Sequence, residues 1–207
     1  MDMKGQESNA VTLANKITIG RMLFIPVFIL LVLYFERSVD GGESNIALRW
    51  IATGIFLAIF LLDGLDGYVA RKRNEISRLG TLLDPLTDKA MLLSALVLLS
   101  LPSAAFAFSL PVWFFVLVIS RDVILVGGSL IIQSLMGKVA VRPRITGKLT
   151  TFFQAMVIVW ILVGFPERLF MGIVGIAAAL TFISGIQYVY DGIAQLERAS
   201  GGGKQEA

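Results

Sequence analysis

Six long apolar stretches alternate with short polar ones along this chain, at 17–35, 46–70, 83–101, 112–136, 147–164 and 168–194. A helix of about 20 apolar residues crosses the hydrocarbon core of a bilayer. The pattern therefore predicts an all-α, polytopic membrane protein: six transmembrane helices forming a single membrane domain over 1–207. Ahead of the first span, Val11, Leu13, Ile17 and Ile19 interleave with Asn9, Asn15, Lys16 and Thr18. That mixture predicts a short amphipathic helix over 9–20 lying in the interface, with the first span running from 21 to 35 and borrowing 17–20. Pro26 is a candidate kink. No cleavable signal peptide is expected, because the apolar run is too long and no small-residue cleavage site follows it.

The connections differ in character. The segment 36–45, ERSVDGGESN, reads as an acidic, flexible loop, whereas 102–111 holds two prolines and no charge. A basic link, KVAVRPRITGK, joins the fourth span to the fifth. In the sixth span Gly172, Gly175 and Ala179 have the small-residue spacing that predicts close packing within the bundle. The Gly-rich stretch from 199 to 207 is expected to be a disordered tail.

Composition narrows the chemistry. With 207 residues, 56% of them hydrophobic, little mass is left for a soluble domain. There is no Cys and no His, which excludes disulfides, thiol chemistry and the usual zinc ligands. The net charge of +3 matters less than its placement. Thirteen Lys and Arg flank one side of the predicted spans and three the other. Cytoplasmic loops carry such an excess, so both termini and the links 72–79 and 138–147 are expected inside. Nothing in the pattern calls for nucleic acid.

The polar residues with most to say lie in 63–88, DGLDGYVARKRNEISRLGTLLDPLTD. Asp63 and Asp66 are three apart, Asp84 and Asp88 four apart, and on helices each pair shares a face. Gly67 and Ala70 follow the first row and Gly80 leads the second, leaving space beside the carboxylates. Four carboxylates at the end of membrane helices repel one another and lose hydration, which is costly unless a cation sits among them. Hard oxygen ligands suit Mg²⁺ or Mn²⁺. Beside basic residues, such a site suits a phosphate-containing substrate, because cations offset charge that builds on a transferring phosphorus. Two metals could clamp the attacking and leaving oxygens, and a carboxylate free of metal could act as general base. A solvated acidic turn paired with Lys72, Arg73 and Arg78 is the alternative.

The spacing D-x2-D-G-x2-A-R-x8-G-x3-D-x3-D is matched without a gap by Asp63, Asp66, Gly67, Ala70, Arg71, Gly80, Asp84 and Asp88. It resembles the signature of the CDP-alcohol phosphotransferase family. Asn15, Thr18 and Arg21 also match an N-x-x-T-x-x-R run common there, with Ala14 where proline is frequent. The resemblance implies transfer of a substituted phosphate from a CDP-linked donor, CDP-diacylglycerol in the most similar members, to an alcohol with release of CMP. It implies two divalent ions held by Asp63, Asp66 and Asp84, with Asp88 a further ligand or the catalytic base. Gly67, Ala70 and Gly80 would make room for the donor's cytidine. Arg71 would contact donor phosphate or pair with an aspartate, and Asn15 and Thr18 would border the donor. The expected setting is the inner membrane, with the active site facing the cytoplasm and the chain a homodimer among membrane lipids.

A second basic cluster, Arg121, Arg142, Arg144 and Lys148, is the candidate site for the acceptor, which would be gripped by its phosphate. Arg121 lies mid-span, where a charge is expensive. Asp122 points about 100° away on a helix and is not an automatic partner. The layout, with DPLTDK and GKLTTFFQ, is similar to members that use glycerol 3-phosphate, the acceptor ranked first. ISRD followed by V-x-P-x-I-x-G-K-x-x-T-x-x-Q is similar to members that take phosphatidylglycerol and make cardiolipin; inositol phosphate is a third candidate. From another class, a transporter or channel subunit with a metal site would also carry intramembrane Asp and Arg.

Overall fold

The periodicity becomes six helices in the computed structural model, which describes residues 13–73, 78–136 and 145–202, with the side chains of 13–19, 21, 63–73, 78–88, 133, 135, 136 and 197–202 left out of that description. They are α1 (Leu13–Asp40), α2 (Ile46–Arg73), α3 (Arg78–Ser100), α4 (Val112–Met136), α5 (Ile145–Val163) and α6 (Glu167–Gly202). No strand occurs among the described residues. Among the described residues, four helices are long and apolar enough to cross a membrane, over Met22–Asp40, Val112–Ile132, Ile145–Val163 and Glu167–Leu196. Ile46–Leu62 and Lys89–Ser100 are apolar but shorter. Large apolar side chains stand exposed along α4 and α6, among them Val116, Val123, Leu130, Leu169, Phe182 and Tyr190. A soluble monomer seldom exposes so much, and a lipid-facing surface does so by default. The chain is a multi-pass membrane protein.

The start of the chain differs from expectation. Among the described residues no separate interfacial helix is seen: Leu13 to Gly20 are the first turns of α1, and 9–12 of the expected helix lie outside them. Gly20 costs a helix only about 1 kcal/mol relative to Ala, and no residue there forces a break. The apolar window instead extends forward from Met22, and the helix absorbs 36–40 of the expected loop. What remains of that loop is a built turn. Gly42 takes φ +82°, the Glu43 amide donates to the Ser38 carbonyl and the Gly42 amide to Val39. This double bond pattern around a left-handed glycine closes a helix C-terminus. The Ser38 hydroxyl also accepts from the Asn45 amide at 3.1 Å, tying the turn to the start of α2.

The same device ends α5. Gly164 takes φ 79°, its amide donates to Ile161, and Phe165 donates to Trp160. The rings of Trp160 and Phe165 then meet at 4.8 Å, the apolar contact that accompanies this cap. Trp160 Nε1 donates to the Pro166 carbonyl, and α6 begins one residue later. At its other end α6 continues through Ala199 and Ser200 to Gly202.

The chain divides into two compact units, 1–94 and 95–207. In the first, α1 packs on α2. Phe28, Val32 and Phe35 of α1 and Ala52, Phe56 and Ile59 of α2 are buried. Phe28 and Phe56 meet at 5.9 Å, and the Arg49 guanidinium lies over Phe35. In the second, α6 packs against both α4 and α5. Its buried positions, Phe170, Val174, Ala177, Thr181 and Ser184, recur at helical spacing. Gly172, Gly175 and Ala179 are not among them. They face outward, and a Cβ at Gly172 or Gly175 would meet nothing within 4 Å. The small-residue face expected to pack inside the bundle is open.

Candidate functional site

Both halves of the acidic signature fall on helices. Asp63, Asp66, Gly67, Ala70 and Arg71 belong to the last turns of α2, and Gly80, Asp84 and Asp88 to α3, which starts at Arg78, earlier than the pattern suggested. At about 100° per residue, Asp63, Asp66, Gly67 and Ala70 share one side of α2 and Gly80, Asp84 and Asp88 one side of α3. The side chains of all these residues lie outside the described part. The donor set suits a hard divalent cation: carboxylates alone, on two helices, in a chain without His or Cys. Asn15, Thr18 and Arg21 are on α1, again with side chains outside the description, and Arg142 and Arg144 lie outside the described residues altogether.

The second unit is described in atomic detail around Arg121. This side chain leaves α4 at mid-helix and is 7% exposed. Its Nη1 donates to Asp122 Oδ1 at 2.7 Å. The two Cβ atoms diverge, but the long arginine folds back across that gap, so Asp122 is a partner after all. Nη2 donates to Ser184 Oγ of α6 at 2.9 Å. The guanidinium carbon lies 5.3 Å from the centre of the Tyr188 ring. A cation over an aromatic face is attracted by the ring's quadrupole. Nε is buried without a hydrogen-bond partner.

Two glycines lie beside this side chain, and at one of them a Cβ would be tight. A Cβ on Gly185 would sit 3.5 Å from Arg121 Cγ. A Cβ on Gly147, in the first turn of α5, would sit 3.2 Å from the Tyr188 hydroxyl oxygen and 3.6 Å from Arg121 Nη2. Arg121 therefore lies against the N-terminal turn of α5, one residue from Lys148, whose side chain is exposed. Lys148 and the positive end of α5 together favour an anion.

Below this point a polar seam joins α5 to α6. Thr146 Oγ1 donates to Gln187 Oε1 at 2.7 Å, Thr150 Oγ1 to the Leu180 carbonyl at 3.1 Å, and Gln154 Nε2 to Thr181 Oγ1 at 3.2 Å. Thr150, Gln154, Thr181 and Ser184 are buried, so these bonds satisfy groups that water does not reach. Ser184, Gln187 and Tyr188 were not singled out from sequence. The signal was present: polar residues four apart at 146, 150 and 154 face polar residues at 181, 184 and 187 in otherwise apolar helices.

Comparison with known proteins bears on the signature. The profile of the CDP-alcohol phosphatidyltransferase family matches residues 11–184. The chain belongs to that family. Its relatives include a Mycobacterium tuberculosis protein named "Probable phosphatidylglycerophosphate synthase", 32% identical over 198 residues that cover 94% of this chain and 86% of the relative. The Bacillus subtilis CDP-diacylglycerol–glycerol-3-phosphate 3-phosphatidyltransferase is 32% identical over 149 residues, 70% of this chain and 74% of that one. The Haemophilus influenzae enzyme of the same name is 31% identical over 180 residues, covering 84% and 89%. As a CDP-alcohol phosphatidyltransferase the chain is a transferase, and the transporter or channel alternative falls away. The match begins ahead of α1 and ends in α6 at Ser184, so it takes in the acidic signature and the whole Arg121 cluster except Gly185 and Tyr188.

Proposed function

We propose that this protein transfers a phosphatidyl group from CDP-diacylglycerol to glycerol 3-phosphate, forming phosphatidylglycerophosphate and releasing CMP. The observation that carries the reading is the gapless acidic signature on α2 and α3, in a chain that aligns along most of its length with relatives named for this reaction. In the reaction a hydroxyl oxygen of the acceptor bonds to the lipid-bearing phosphorus, the bond from that phosphorus to the CMP oxygen breaks, and the hydroxyl proton passes to a base.

The residues divide that work. Asp63, Asp66 and Asp84 would hold two Mg²⁺ or Mn²⁺ ions. Bound there, the ions supply Lewis-acid neutralisation of the phosphate charge. Asp88 receives the acceptor's proton or completes the ligand set. Gly67, Ala70 and Gly80 leave room for the cytidine, Arg71 meets donor phosphate, and Asn15 and Thr18 border the donor. Arg142, Arg144 and Lys148, with Arg121 behind them, hold the acceptor's phosphate at the start of α5. Phosphatidylglycerol is the second candidate acceptor, favoured by the ISRD and V-x-P-x-I-x-G-K runs.

All six helices would then span the inner membrane, with the acidic signature on the cytoplasmic side, in keeping with the thirteen Lys and Arg flanking that side. A homodimer is the proposed assembly. The outward face of Gly172, Gly175 and Ala179 is compatible with it, and the mass of the protein in detergent tests it. Gly41→Cys should be labelled by an impermeant thiol reagent on intact cells and Glu75→Cys spared; the reverse overturns the orientation. For the reaction itself, purified protein given CDP-diacylglycerol should release CMP only when both divalent metal and an acceptor alcohol are added. CMP release that persists in EDTA contradicts the metal assignment.

A further inference from the structure

The Arg121 side chain is spent on the protein itself to an unusual degree for a residue assigned to a substrate. Nη1 is held by Asp122, Nη2 by Ser184, and the guanidinium lies over Tyr188. Ser184 is fully buried. The guanidinium nevertheless does not sit in the middle of a helix pair. Nη2 lies against Gly147, where the first turn of α5 would otherwise carry a Cβ, and the Tyr188 hydroxyl oxygen approaches the same point more closely still. Three helices therefore meet at one contact: α4 through Arg121, α6 through Ser184 and Tyr188, and α5 through the bare backbone of Gly147. The Thr146–Gln187 bond, 2.7 Å long, fixes the adjacent residue of α5 to the adjacent residue of α6.

We propose that Tyr188, with Ser184 and Gly147, forms a positioning element of the acceptor pocket that seats Arg121 against the first turn of α5 and thereby sets affinity for the acceptor's phosphate. The inference rests on the functional reading above, which takes that turn to carry the acceptor-binding Lys148. It assigns Tyr188 through its ring rather than its hydroxyl, because the ring is what lies under the charge. It assigns Gly147 through the absence of a side chain. The Arg121 charge is paired with Asp122, but the guanidinium is held beside the positive end of α5, where the local field favours an anion. Holding Arg121 in place keeps its positive edge at that turn, which makes binding of the acceptor's phosphate more favourable. A Cβ at Gly147 would crowd the Tyr188 hydroxyl, 3.2 Å away, and loss of the ring would remove what lies under the guanidinium; either loosens the seat of Arg121 and weakens the acceptor specifically.

The test is steady-state CMP release by full-length purified protein, with glycerol 3-phosphate varied at saturating CDP-diacylglycerol and then the reverse. Tyr188→Leu should raise KM for glycerol 3-phosphate about 3- to 30-fold, the range of a cation–ring contact that is at least partly desolvated. Tyr188→Phe keeps the ring and should stay within about twofold of the unmodified protein on the same argument. Ser184→Ala should raise that KM about 2- to 10-fold through loss of one hydrogen bond, and Gly147→Ala should raise it as well. KM for CDP-diacylglycerol should not move in any of them. Because both act through Arg121, the effects of Ser184→Ala and Tyr188→Leu should combine less than additively. An unchanged acceptor KM in Tyr188→Leu, parallel rises in both KM values, failure of Tyr188→Phe to behave like the unmodified protein, or simple additivity each overturns the proposal. If the unmodified protein ignores glycerol 3-phosphate, the functional reading fails instead. The same KM comparison made with phosphatidylglycerol then decides the positioning role.

Discussion

The acidic end of α2 and α3 and the Arg121 cluster of α4, α5 and α6 place charge among apolar helices in opposite ways. In the first, four like charges are gathered on two helices, and the chain offers no His or Cys to share them. In the second, one cation is answered within the protein by a carboxylate, a hydroxyl and an aromatic ring. An apolar setting penalises both, but only the first needs something from outside to balance it. On the proposed function, the difference separates a site that would do chemistry on a bound ion from one that positions a side chain. It also orders the consequences of mutation.

The largest effect belongs to the acidic end. Asp63→Asn or Asp84→Asn should reduce CMP release by about 10³-fold or more, since a lost metal removes several kcal/mol of charge stabilisation. Metal binding measured directly should fall with it. Asp88→Asn separates the roles within that end: as a base it keeps metal and CDP-diacylglycerol binding while turnover falls roughly 10²–10⁴-fold. Loss of donor binding in step with activity would make Asp88 a ligand. Next come the cations at the start of α5. Lys148→Ala and Arg144→Ala should each raise KM for glycerol 3-phosphate about 10- to 150-fold by removing a charge-assisted contact, with that for CDP-diacylglycerol unchanged. The smallest effect is in the seam. Thr150→Val removes a hydroxyl whose one proton is shared between the Thr146 and Leu180 carbonyls, and should lower stability by about 1 kcal/mol with little change in either KM. A large change in KM there would mean that the seam is part of the pocket rather than its support.

The two regions also differed in how far they could be read from residues alone. The signature is contiguous, 26 residues with fixed spacing, and its residue types have few other reasons to recur together inside apolar helices. The six helices were legible for a similar reason, because length and hydropathy decide where a chain can enter a bilayer. Their ends were less so. The start of α1 depended on whether mixed polarity over 13–20 breaks a helix, and it does not. The turn at Gly42 looked like a flexible acidic loop because its order comes from backbone bonds and Ser38, not from apolar residues. The Arg121 cluster is built from positions 121, 122, 147, 184, 185 and 188 on three helices. Sequence offered Arg121 as a costly charge and judged Asp122 by backbone angle alone, which overlooks how far an arginine reaches. Gly172 and Gly175 misled in the other direction: small-residue spacing says that a face can pack closely, not what it packs against.

The account turns on what the protein makes. Purified enzyme in detergent, supplied with CDP-diacylglycerol, Mg²⁺ or Mn²⁺, and glycerol 3-phosphate and phosphatidylglycerol together, can be followed by mass spectrometry of the lipid products. The account predicts phosphatidylglycerophosphate in stoichiometric step with CMP, and no cardiolipin. Cardiolipin as the product, with glycerol 3-phosphate left unconsumed, would contradict it.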